Sequence, residues 1–328
     1  MRQGWKALLS GIAMIALAIT GSASPATAAF PDRPITLVVP WAAGGGTDAV
    51  ARMVAVLLEK EFGQPVNVVN RTGGSGVVGH QAIETARLDG YTIGLITLEV
   101  NMMHWVGLTD LDYTGFTPLA LINTDPAAIH VKSDSKYKTM NDLLADIKAN
   151  PGKLKASGTG QGGSWHLALG GLLKSKGIDP KSVGWVPSTG AATALTDLAG
   201  GGIDFVSCSL PEAEGLTKAG RVRTLVYMDS KRSKVTPDVP TVKEATGSDW
   251  TMVLWRGMTG PKDLPADIAA KYEAAFKKIY ESKDYQEFMT KRGFGAVWGN
   301  AAEFKAFLAK NNKDMGESLK DLGLAKAK

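Results

Sequence analysis

The chain has 328 residues, 44% hydrophobic and 21% charged, with one cysteine and a formal net charge of +5. That length is enough for two lobes of ordinary size, and the apolar fraction is enough to give each a core. One cysteine excludes a disulfide framework and a cysteine-based zinc site, and charges this evenly mixed exclude a disordered chain.

Residues 1–29 read as a secretory signal. Arg2 and Lys6 make a positive start, and residues 7–20 form an apolar run too short to span a bilayer at ~1.5 Å per residue. Ala26-Thr27-Ala28 fits the small-x-small cleavage rule, so cleavage is expected after Ala28 or Ala29. No cysteine precedes that point, which argues against a lipid anchor, and no later stretch reaches the ~18 continuous apolar residues of a span. The mature protein is expected to be soluble and exported. Losing Arg2 and Lys6 lowers the net charge from +5 to +3. The remaining lysines and arginines are scattered without interleaved aromatics, so no nucleic-acid partner is expected.

In chain order, residues 35–40 (ITLVVP) are a β-branched run that reads as a buried strand. A Gly-rich turn over 41–46 follows. Thr47 and Asp48 are good N-cap types for the helix that runs to Phe62. A strand over 66–69, a small-residue loop over 73–76, a helix over 77–86 and a strand over 91–97 complete a β-α-β-α-β unit, the pattern of a parallel sheet covered by helices. A second unit repeats the theme. It has strands over 127–131, 154–156, 183–186, 202–207 and 224–228, helices over 140–149, 166–174 and 191–199, and a helical end over 216–220. Residues 229–262 read as turn-rich, and amphipathic helices follow over 266–281 and 302–322. Cys208 lies in an apolar run and is expected to be a buried small hydrophobe.

Several strand-to-helix junctions are rich in glycine: 42–48, 73–76 and 158–164, with 188–191 a poorer fourth. Such loops present free backbone N–H groups at the positive end of a helix and bind anions without a charged side chain. Glycine is also what any tight turn needs, but several such loops in two lobes favour a small anionic ligand held in a cleft. Enzyme motifs fail on inspection. Gly158-x-Gly160-x-x-Gly163 fits the dinucleotide fingerprint formally, yet Asp179 precedes Pro180 and lies before the next strand rather than at its end. Gly162-x-Ser164-x-His166 lacks the final glycine of a nucleophile elbow, and His80, His104, His130 and His166 show no metal-ligand pairing on one helix. A hydrolase triad assembled from distant residues stays open at this point.

The segments Phe30-Pro31-Asp32-Arg33-Pro34-Ile35 and Val38-Val39-Pro40-Trp41-Ala42-Ala43-Gly44-Gly45-Gly46-Thr47-Asp48 resemble the start of mature Bug proteins. These are the TctC-like periplasmic solute-binding components of tripartite tricarboxylate transporters. Gly63-Gln64-Pro65-Val66, Asn70-Arg71, Asp89-Gly90-Tyr91-Thr92, 187–190 and 194–204 match in order, so the resemblance covers the whole mature chain. It implies a type II periplasmic-binding-protein fold: two α/β lobes joined by hinge strands that close on the ligand. Laid on this chain, lobe 1 takes residues 30–124 and 232–328, and lobe 2 takes 125–231.

The resemblance further implies a carboxylate held by loop N–H groups and hydroxyls. Lobe 1 would offer Trp41, Ala43, Gly45, Thr47, Asp48 and Thr97. Lobe 2 would offer Thr159, Gly160, Ser164, His166, Ser188, Thr189 and Ala191, with Asp204 near the cleft to orient donors or meet a ligand hydroxyl or amine. Thr72 stands where proline often follows Asn-Arg, and Trp165 stands where a small residue is frequent. Trp41 and Trp165 are expected to pack rather than stack on ligand, and Arg71 is expected to be structural. The function implied is a monomeric periplasmic receptor for a di- or tricarboxylate that delivers it to membrane permease subunits, with no cofactor, metal or catalysis. An exported α/β hydrolase and a carboxylate sensor feeding a signalling receptor are the alternatives.

Overall fold

The computed structural model describes residues 30–326, so the signal segment expected over 1–29 lies outside the described residues. Strand β1 (Ile35–Val39) is followed by α1 (Gly46–Phe62), β2 (Val66–Asn70), α2 (Val77–Glu84) and β3 (Thr92–Thr97). β1 pairs in parallel with β2 and with β3. Ile35, Leu37 and Val39 enter one core with Val50, Val54 and Leu58 of α1, while Val38 enters the other core with Ile83 of α2. Both faces of the sheet are covered, which is why β1 is a continuous apolar run rather than an alternating one. Helix α1 ends at Gly63, whose left-handed backbone (φ 65°) returns its N–H to the Glu59 carbonyl.

Strand β4 (Phe116–Lys132) carries the chain from the first lobe into the second. There, α3 (Met140–Ala149), β5 (Lys155–Ser157), α4 (Ser164–Ser175), β6 (Gly184–Trp185), α5 (Ala191–Gly200), β7 (Phe205–Ser209), α6 (Leu210–Lys218), β8 (Val222–Tyr227) and α7 (Val242–Thr246) follow. Strand β9 (Val253–Pro261) returns, and α8 (Ala266–Glu281), α9 (Lys283–Arg292), β10 (Gly295–Gly299) and α10 (Ala301–Asp321) complete the chain. In the first lobe the strand order is β2-β1-β3-β9-β4-β10. In the second, the distal part of β4 lies between β7 and β8, and β7 continues in parallel to β5 and β6. β4 and β9 pair antiparallel from Phe116↔Pro261 to Pro126↔Val253, so these two strands join the lobes.

The structure departs from the sequence reading in this connecting region. A strand is expected only over 127–131, yet β4 begins at Phe116. Pro118 and Pro126 argue against strand interior, and the ladder accommodates the first of these beside a register shift between Pro118 and Ala120. The turn-rich stretch 229–262 contains α7 and β9, and α9 and β10 are additional. Helix α1 starts at Gly46 with Gly45 as N-cap, so Thr47 and Asp48 lie inside its first turn. The end of the stretch 232–252 packs on the second lobe. Met252 N–H donates to the Met228 carbonyl at 3.0 Å, and Trp250 Nε1 donates to the Ala168 carbonyl of α4 at 3.1 Å. We therefore propose the return to lobe 1 at Val253 rather than at residue 232.

Among the described residues no helix is long and apolar enough to cross a membrane. Cys208 is fully buried on β7, and burial, aided by Glu212, pushes its thiol well above the usual range.

Candidate functional site

The loops after β1, β5 and β6 face one another between the lobes, at the carboxyl ends of parallel strands where open α/β sheets bind ligands. They start α1, α4 and α5 respectively, so three helix N-termini meet there. Gly45, Gly46 and Thr47 line one side of an inner cavity, and Ser164, Gly190 and Ala191 line the other. Its volume is about 20 Å³, room for roughly one water. An outer cavity of about 350 Å³ lies beside it, bounded by Trp41, the Gly73–Gly76 loop, Gly160 and the 187–189 loop. The two lobes touch across this cleft. Ala42 N–H donates to the Thr189 carbonyl at 3.2 Å, and Ser75 Oγ donates to the Gln161 carbonyl at 3.3 Å.

Of the residues expected in the site, Trp41, Gly45, Thr47, Thr159, Ser164 and Ala191 line the inner cavity, and Gly160, Ser188 and Thr189 line the outer one. Five others lie elsewhere. Ala43 is exposed, and Ala42 lines the cavity in its place. Asp48 is a brace for the loop. Its carboxylate accepts from Gly44 N–H, Arg52 Nε and Asn70 Nδ2, each at 2.9 Å. Burial raises its pKa, but these partners outweigh burial and leave it below its ordinary value. Thr97 is fully buried behind the cavity, where it accepts from Trp41 Nε1 at 3.2 Å and donates to Glu99 Oε2 at 2.5 Å. His166 lies against Trp185, ring centroids 4.7 Å apart, and its Nδ1 accepts from Gly162 N–H. Burial lowers its pKa to about 4.

Asp204 requires a correction. It is exposed at the start of β7, where its carboxylate accepts from Lys155 N–H at 2.8 Å. β5 and β7 run in parallel toward the cleft, so Asp204 sits at the opposite end of the sheet. Arg71 is exposed and lines neither cavity.

Three charged residues of the inner cavity escape sequence reasoning: Glu99, Glu212 and Arg256. Glu99 follows β3 and crosses to the second lobe, where its Oε1 accepts from Ser164 N–H at 3.0 Å and Ser164 Oγ at 2.5 Å. Glu212 completes a capping box with Ser209 at the start of α6 and reaches back to Gly46 N–H at 3.4 Å. Arg256, fully buried on β9, donates from Nε to Thr47 Oγ1 at 2.9 Å and from Nη1 to Asn123 and Asp125 of β4. Its Nη2 lies 3.7 Å from Glu212 Oε1. A charged residue inside the apolar run Val253-Leu254-Trp255-Arg256 was the available signal for Arg256. The Ser209-x-x-Glu212 spacing was the signal for Glu212. Nothing local marks Glu99 as a cavity residue: Thr97 holds its Oε2, and its other partner, Ser164, is on the other lobe.

Residues 50–324 match the family model described as the tripartite tricarboxylate transporter family receptor. The chain belongs to this TctC family. A relative, a UPF0065 protein from the tcbD-tcbE intergenic region of Pseudomonas sp. strain P51, is 33% identical over 313 residues, 94% of this chain and 92% of its own. Among solved structures, R. palustris Rpa4515 with adipate superposes with TM-score 0.85 at 26% identity, covering 90% of this chain and 99% of that one. MatC from Rhodopseudomonas palustris with bound malate gives TM-score 0.81 at 25% identity, covering 88% and 100%. The TctC family and its two-lobed α/β fold are those of solute-binding proteins.

Proposed function

We propose that this TctC-family receptor captures a small organic carboxylate in the periplasm by closing its lobes, and passes it to a tripartite membrane permease without chemistry. The observation that carries this reading is the meeting of three helix N-termini, at Gly46, Ser164 and Ala191, on one cavity between the lobes. Helix N-termini attract negative charge. Here the Gly46 and Ser164 N–H groups are held by Glu212 and Glu99, and the Ala191 terminus faces the cavity beside Arg256. The malate and adipate bound by the two structural relatives support a carboxylate for this chain. The secretory signal read over 1–29 supports the compartment. The hydrolase alternative finds no support at Ser164, whose hydroxyl donates to Glu99 rather than to a histidine.

A thermal-shift screen tests this on protein stripped of co-purified ligand by unfolding and refolding. The panel is C4 to C6 dicarboxylates, citrate, amino acids and benzene carboxylates. At 100 times its dissociation constant a binder stabilises by about 2.7 kcal/mol. Silence across every carboxylate would sink the proposal. Adjacent genes for a large and a small membrane subunit would favour delivery to a permease over sensing.

A further inference from the structure

The inner cavity is acidic for a site that takes a carboxylate. Among its described lining residues Arg256 is the cation, and Glu99 and Glu212 are the acids. That one guanidinium also holds Asp125, which is 1% exposed. Burial pushes the Glu212 carboxyl above its ordinary value more strongly than Arg256 pulls it down, the sign of a buried negative charge short of compensation. Each acid comes from one lobe and occupies a helix N-terminus of the other: Glu99 that of α4, Glu212 that of α1. Two of the three termini open to a ligand anion are thus taken by the protein's own carboxylates.

Two further atoms point to what the cavity takes. Thr159 Oγ1 and Arg256 Nη2 are buried there without a hydrogen-bond partner, in residues 4% and 0% exposed. A buried polar atom without a partner is costly, so each is a demand on the ligand. Arg256 Nη2 asks for an acceptor. Thr159 Oγ1 is free to accept from a donor. Glu99 and Glu212, though already held by protein donors, place negative charge beside it, which together with the indoles of Trp41 and Trp165 in the same wall suits a cation.

We propose that Glu99 and Glu212 make this receptor selective for a zwitterion, a carboxylate that also carries an ammonium group. The ammonium is taken up by Glu99 and Glu212. The carboxylate goes to Arg256 Nη2 and the N-terminus of α5, with the lobes parting to enlarge an inner cavity that now has room for roughly one water. A di- or tricarboxylate instead brings its second negative charge against two buried acids, so the same residues reject it. This rests on the carboxylate-receptor reading above and narrows it away from the dicarboxylates that the sequence favours.

The test is calorimetric titration of the stripped protein with matched pairs, adipate against 6-aminohexanoate and succinate against 4-aminobutanoate, together with neutral α-amino acids. Glu99→Gln and Glu212→Gln are titrated in parallel, with thermal melting to verify folding. Glutamine keeps the side-chain length and the α6 capping box. An amino carboxylate is expected to bind at least tenfold tighter than any dicarboxylate, and each glutamine variant is expected to narrow that ratio at least tenfold. A dicarboxylate that binds tighter than every amino carboxylate overturns this inference and leaves the receptor reading standing. A ratio unchanged in both folded variants also overturns it. If neither variant folds, the wild-type ratio alone decides. Absence of binding by every carboxylate, zwitterionic or not, overturns the receptor reading itself.

Discussion

His80 shows how one buried side chain sets a binding wall. Its Nδ1 donates to the Gly76 carbonyl at 2.8 Å, and its Nε2 accepts from Thr97 N–H at 3.3 Å. Thr97 in turn fixes Trp41 and Glu99. His130 plays a similar part between Thr224 and the Cys208 carbonyl. Burial lowers both pKa values to about 4, so both rings are neutral at pH 7. The unfolded chain titrates near 6.5 and binds more protons than the native one between these values. Stability is therefore fully present above about pH 6.5 and falls as pH drops toward 4, by about 3 kcal/mol at most for each histidine. Urea unfolding from pH 7.5 to 4.5 measures this. His130→Gln should flatten the slope, and an unchanged slope would show that this histidine does not titrate on unfolding.

At the scale of elements, β9 tolerates no added bulk at Gly257. A Cβ there would come within 2.1 Å of the Phe304 ring of α10. Gly257→Ala is expected to cost about 1–3 kcal/mol through overpacking, read as a lower urea midpoint at unchanged slope. The same strand shows why part of the fold was hidden. β1, α1, β3 and the Gly-rich junctions are legible because local pattern and tertiary role agree. β9 mixes Arg256, Gly257 and Gly260 into an apolar run, and β4 carries two prolines, because both strands pass from one lobe to the other through a polar crossing at Asn123, Asp125 and Arg256. The site divides in the same way. Loop donors can be read from glycine spacing, whereas the contacts that bring Glu99 and Glu212 to the cleft, with Ser164 and Gly46, lie on the opposite lobe. Asp204 was misplaced because a match to a family position in sequence does not say which end of β7 faces the cleft.

At the scale of the molecule, the lobes meet through close backbone contact at the cleft mouth. A Cβ on Gly160 would lie 2.0 Å from Ser75 Oγ and 2.8 Å from Ser75 Cα. Gly160→Ala is expected to hold the lobes apart, raising the radius of gyration by solution scattering and weakening ligand binding at least tenfold, with the melting temperature nearly unchanged. Equal scattering and affinity would mean that this contact does not control closure. The means to test the proposed closure directly lies in Cys208. It is the chain's one thiol, and it is enclosed within β7 and held protonated. Native protein should therefore ignore maleimide dyes. Cysteines introduced at Ser75 and Thr189 would carry a fluorophore pair on an otherwise natural background, and opening could be followed one molecule at a time.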